Sequence, residues 1–142
     1  MNLSDHFTLE ELTFSQTAIR KGIDNTPSNE VRSNLVRLSE FLETVRRRVG
    51  LPIHITSGYR SPELNNAIGG ASNSQHCLGC AADITVRGIS LDEIIKRIGD
   101  LDFDQLIREY DSWIHISIPP IGKSPRKQKL IIDHNGTRPY GV

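Results

Sequence analysis

The sequence predicts an α+β fold, a small antiparallel sheet flanked by helices, in one domain covering residues 1–142. Three observations lead there. One apolar stripe keeps helical spacing for about six turns. Five short segments rich in β-branched residues lie between glycine, proline and other turn signals. No internal repeat or linker interrupts the chain, and 142 residues suffice to bury one apolar core.

The elements follow in order. Leu9-Glu10-Glu11-Leu12 is a short helical signal, followed by a polar stretch ending at Thr26-Pro27. Thr26 as N-cap, Pro27 as first helical residue and Glu30 as capping partner predict the start of the long helix. Val31, Leu35, Leu38, Leu42, Val45 and Val49 recur three and four apart, and Gly50 and Pro52 stop the stripe. Such a helix needs an apolar partner, and a sheet supplies one. Ile53-His54-Ile55-Thr56 reads as its first strand. Ser61-Pro62-Glu63 opens a short helix from Leu64 to Ile68, closed by Gly69-Gly70. Residues 82–86 form the next strand, with Ile84 and Val86 on one face. Ser90 caps a helix from Leu91 to Ile98 that turns Ile94, Ile95 and Ile98 inward. Strands from Asp104 to Glu109 and from Trp113 to Ile118 are joined by a polar turn, and Pro119-Pro120 ends the second. Lys129 to Asp133 completes the sheet as an edge strand, and residues 135–140 read as a turn and loose end.

Composition narrows the function classes. Seventeen basic residues balance seventeen acidic ones, which argues against bulk capture of nucleic acid or anionic membrane. Arg46-Arg47-Arg48 sits at the end of the long helix, where its charge complements the dipole. The N-terminus carries neither a basic nor an apolar signal region, and no apolar run approaches a membrane span. The expectation is a monomeric protein made in a cytoplasm, which reaches any external substrate only after release. Two cysteines exclude a disulfide scaffold. Cys77-Leu78-Gly79-Cys80 precedes a strand rather than opening a helix, and no second pair exists to complete a structural zinc site, so neither redox nor independent metal chemistry is assigned to it.

Chemistry concentrates in Ser74-Gln75-His76-Cys77-Leu78-Gly79-Cys80-Ala81-Ala82-Asp83 and in Trp113-Ile114-His115-Ile116-Ser117. Zinc favours imidazole nitrogen and carboxylate oxygen, and a catalytic site offers three protein ligands with one open position. His76 lies in a loop before a strand. Asp83 lies on that strand opposite Ile84 and Val86, and His115 lies on another between Ile114 and Ile116. Strand alternation thus turns a carboxylate and an imidazole to the face the core does not use. Gly79, Ala81 and Ala82 are small enough to keep the backbone close to such a site. His54, between Ile53 and Ile55, has a route to that face but shows no partner pattern and reads first as a hydrogen-bonded strand histidine.

The string Ser74-x-His76-x-x-Gly79-x-Ala81-x-Asp83, with the distant Trp113-x-His115, resembles the D-alanyl-D-alanine metallopeptidase family, which includes bacterial zinc carboxypeptidases and phage peptidase endolysins. Ile55-Thr56-Ser57-Gly58-Tyr59-Arg60-Ser61-Pro62 is similar to that family's strand and arginine turn, and the likeness runs from about Phe7 to Ile118. The resemblance implies the fold shared with the hedgehog signalling domain and lysostaphin-like peptidases. It implies a zinc ion held by His76, Asp83 and His115, with Arg60 meeting the substrate's carboxylate or polarised carbonyl. Ser57, Ser74 and Gln75 become substrate or supporting contacts. Many relatives carry the general base three residues before the final histidine, where this chain has Ser112; the choice falls on Glu109, with Asp111 as the alternative. The implied activity is hydrolysis of peptidoglycan stem peptides, as a D,D-carboxypeptidase or an L-alanyl-D-glutamate endopeptidase, in a phage-type lysin or a cytoplasmic enzyme. The competing function is a non-catalytic, zinc-stabilised binding or assembly module on the same fold.

Overall fold

The structure, a computed structural model, describes residues 1–141. The chain runs through α1 (Leu9–Thr13), α2 (Gln16–Lys21), α3 (Asn29–Val49), β1 (His54–Ser57), α4 (Pro62–Ala67), a 3₁₀ turn (Gln75–Leu78), β2 (Ala81–Thr85), α5 (Leu91–Ile98), β3 (Gln105–Glu109), β4 (Trp113–Ser117), β5 (Gln128–Asp133) and β6 (Gly136–Pro139). The strands form one sheet in the order β1-β2-β4-β3-β5-β6. All neighbours are antiparallel except β3 and β5, which run parallel. The α+β expectation holds, with that parallel pair as the departure from an all-antiparallel sheet. No helix among the described residues is long and apolar enough to cross a membrane.

Pleat alternation divides the sheet by chemistry. Ile55, Ala82, Ile84, Leu106, Ile114 and Ile116 join one core cluster with Leu35, Leu38, Leu42, Val45 and Val49 of α3 and Ile94, Ile95 and Ile98 of α5. These are the apolar stripes of the two amphipathic helices, and burying them supplies most of the folding drive. The opposite face carries Asp83, His115, Glu109 and Trp113. Register brings them together: Asp83 pairs with His115 across β2 and β4, and Glu109 with Trp113 across β3 and β4.

Several expectations need correction. The long helix is capped by Ser28, whose hydroxyl accepts from the Val31 N–H, and not by Thr26. Thr26 instead donates its own N–H to Asp24 Oδ1 at 2.9 Å in a local turn, so Pro27 lies before the helix. The Thr8-Glu11 capping box belongs to α1. β5 is not an edge strand, because residues 136–139, expected as a loose end, fold back as β6 and cover it. Gly79 does not keep space open near the histidines. A Cβ there would meet Val31 Cγ1 and the Val31 carbonyl oxygen at 2.9 Å, and its φ of +77° is the left-handed conformation that ends the 3₁₀ turn. Its smallness lets that turn sit against α3. Ala82 likewise faces the core.

Candidate metal centre

Three elements deliver the three proposed ligands. The 3₁₀ turn carries His76, and the Ser74 hydroxyl caps it by accepting the His76 N–H at 3.2 Å. β2 carries Asp83 and β4 carries His115, directly opposite one another. All three are buried, at 3%, 5% and 8% exposure, although each is polar. His76 Nε2 lies 3.2 Å from Asp83 Oδ1, and His115 Nδ1 lies 3.1 Å from the same oxygen. One ligand atom from each residue falls within 4.8 Å of the others, a grouping able to hold a metal ion.

The donor chemistry fits a cation. His76 Nδ1 lies 2.7 Å from the Gly58 carbonyl, which can only accept, so Nδ1 carries the proton. Burial holds the His76 imidazole below its ordinary pKa, against the opposing pull of Asp83. The neutral ring therefore presents a bare Nε2 lone pair to a carboxylate oxygen, and two acceptors facing one another call for a shared cation. Burial by itself would raise the Asp83 carboxyl, but the polar groups around it, His115 first among them, outweigh burial and hold it well below the usual carboxylate range. The oxygen is thus anionic, as a ligand must be.

The surroundings fix these groups in place. A β-bulge between Ile55 and Ser57 sets Ser57 opposite Asp83. Ser57 Oγ accepts from Arg60 Nε at 3.2 Å, and Arg60 Nη2 reaches Asp83 Oδ2 at 3.3 Å. Arg60 Nη1 donates to Asn65 Oδ1 at 3.1 Å, and Asn65 in turn donates to the Ala71 carbonyl. Gly58, whose carbonyl orients His76, lies under α1: a Cβ on it would stand 2.3 Å from the Leu12 carbonyl oxygen. The adjacent Tyr59 N–H donates to that same oxygen at 2.7 Å.

Of the residues singled out in the sequence, His76, Asp83 and His115 come together, Arg60 reaches Asp83, Ser57 holds Arg60, and Ser74 caps the turn that carries His76. Glu109 shares the site face, and burial raises its carboxyl above the ordinary value, with the Asp83 charge adding to the effect. Asp111 pairs instead with Arg108 at 3.2 Å, and Arg108 leaves β3 on the face opposite Glu109. Gln75 turns away from the ligands: its amide donates to Asp104 Oδ2 at 2.8 Å, and Asp104 is gripped by Arg126. His54 is exposed near the sheet edge. Cys80 is buried and Cys77 half-buried; both are free thiols that burial pushes to higher pKa, away from metal-binding thiolate. Sequence reasoning missed Gly58, Asn65 and Asp104. Asn65 falls on the helix opened by Ser61-Pro62, within reach of Arg60, which was the available signal. Trp113, legible only as part of a motif, has a buried Nε1 with no hydrogen-bond partner among the described residues.

Comparison with protein families decides the class. The family described as Peptidase M15 matches residues 5–117. The chain belongs to the Peptidase M15 family. It is therefore a hydrolase of peptide bonds, and the buried His-Asp-His grouping lies within the matched region. Comparison with curated proteins finds no match.

Proposed function

We propose that this M15 peptidase is a zinc enzyme that hydrolyses peptidoglycan stem peptides, with His76, Asp83 and His115 holding the metal. The observation that carries the reading is the bare Nε2 of His76 set against the anionic Asp83 oxygen, with a second imidazole at 3.1 Å from that oxygen. A zinc ion bound there supplies Lewis acidity, lowering the pKa of a water toward about 7 and polarising a carbonyl. Glu109 takes the proton from the attacking water and hands it to the leaving amine. Its raised pKa brings it nearer to neutrality, where proton transfer in both directions is efficient.

Arg60 has two tasks. It steadies Asp83 Oδ2, and of its five N–H donors three are engaged by Ser57, Asn65 and Asp83. The remaining two are free to meet a substrate carboxylate or the oxygen that gains charge during attack. Ser57 and Ser74 serve by positioning Arg60 and His76. Gln75 braces the 3₁₀ turn through Asp104.

Muropeptide mass spectrometry after incubation with zinc-loaded protein tests this reading and reports which bond is cut. Chelator-sensitive cleavage, lost in Glu109→Gln, is expected. Stoichiometric zinc with no cleavage of any stem peptide would return the binding-module alternative.

A further inference from the structure

A cleft of about 310 Å³ adjoins the metal centre between α2 and α4, with Phe14, Arg20, Tyr59, Arg60, Leu64 and Ile68 among its walls. It shares Ser57 and Arg60 with the site already described, so a peptide extending from the metal centre on this side enters it. The cleft is held in shape. Asn25 donates to the Thr13 carbonyl at 2.9 Å and to the Tyr59 carbonyl at 3.0 Å, while its Oδ1 accepts the Ser61 N–H at 2.7 Å. One side chain thus ties the N-terminal segment to both flanks of Arg60.

The charge of the cleft is one-sided. Its lining contains two arginines and no acidic residue. Asp83 answers Arg60. The ion pairs among the described residues engage Arg48, Arg97, Arg108, Arg126 and Arg138, but not Arg20. In a chain of zero net charge, this leaves an exposed cation over a cleft with no counter-charge. Phe14 and Ile68, at 59% and 45% exposure, add apolar contact on the same walls. An extended peptide with small apolar side chains and a free carboxylate matches both properties.

Resting on the peptidase reading above, we propose that this cleft binds one arm of the peptide substrate and that Arg20 is a specificity-determining residue, selecting a free carboxylate on that arm. Amidation of that carboxylate removes the charge-assisted pair while leaving the scissile bond untouched.

The test uses the zinc-loaded full chain and a panel of synthetic stem peptides in which each free carboxylate is amidated in turn. In wild type, one amidation beyond any read by Arg60 lowers kcat/KM about tenfold, through KM. In Arg20→Gln that penalty disappears, the penalties of the other amidations persist, and Arg20→Lys keeps part of the discrimination. Binding of the same panel to chelator-treated protein, followed by amide NMR shifts over residues 14–20, gives a second readout that needs no turnover. If no peptide is cleaved yet the acidic peptides shift these amides in wild type and not in Arg20→Gln, the peptidase reading fails while the cleft assignment stands. If cleavage proceeds and Arg20→Gln treats all peptides as wild type does, or if none shifts these amides, the cleft assignment is overturned.

Discussion

Gly58→Ala is the sharpest probe of how the fold orients its metal ligands. The new Cβ would stand 2.3 Å from the Leu12 carbonyl oxygen, 2.9 Å from its carbonyl carbon and 3.0 Å from its Cα. These are backbone atoms, so no side chain can swing aside. Restoring ordinary contact requires a shift of about 1 Å between α1 and the turn after β1. Overpacking of this kind costs about 1–3 kcal/mol. The same turn supplies the Gly58 carbonyl that accepts from His76 Nδ1 at 2.7 Å, so the shift loosens the group that fixes this ligand's tautomer. Loss of such an outer partner weakens metal binding by about 10–100-fold. Competition against a chromophoric chelator measures the zinc affinity, and denaturant unfolding of the metal-free protein measures the stability cost separately. A Gly58→Ala variant that binds zinc within a factor of about two of wild type, with unchanged stability, would refute the reasoning.

Other outcomes follow from the same geometry. Glu109→Gln lowers kcat by about 10²–10⁴-fold. In metal-free protein it also stabilises the fold at neutral pH. The raised pKa of Glu109 means the folded state favours its protonated form, so that contribution is complete below the ordinary value of 4.5 and lost as pH rises through the folded value. Wild type and variant therefore unfold alike in acid and diverge above it, which thermal melts across pH will show. Asp104→Ala takes from Gln75 Nε2 the nearer of its two acceptors and from the Arg126 guanidinium its carboxylate partner, and costs about 1–3 kcal/mol in urea unfolding, with zinc affinity falling as the 3₁₀ turn loosens. Zinc at about 100 times its dissociation constant stabilises wild type by about 2.7 kcal/mol, and His115→Ala loses most of that increment in calorimetry.

Periodicity made the core legible. The stripe from Val31 to Val49 and the alternation around Asp83 and His115 both express backbone geometry directly, and both hold in the structure. What failed was what short range cannot encode. Thr26 and Ser28 are equally good caps by chemistry, and the Asp24 turn decided between them. α2 shows only Ala18 buried, and all four residues of β6 are exposed, so neither has an apolar pattern to read. The Ser15 cap, the basic Arg20 and Lys21 in the last turn and the left-handed Gly22 after it were the local signals for α2. That β5 lies inside the sheet is a matter of strand order. The ligands were visible through their motif, but their supports were not: Gly58 acts through its carbonyl and through contact with α1, neither of which has a sequence signature. Glu109 is already preferred to Asp111 from its place at the end of the strand paired with that of His115; register puts it on the site face, and Arg108 pairs with its rival.

Zinc K-edge X-ray absorption of the loaded protein examines the metal assignment most directly. Two imidazoles and a carboxylate predict only nitrogen and oxygen neighbours at about 2.0–2.2 Å, with the imidazole signature lost stepwise in His76→Ala and His115→Ala. A sulfur shell at about 2.3 Å would put Cys77 or Cys80 on the metal and contradict the site described above.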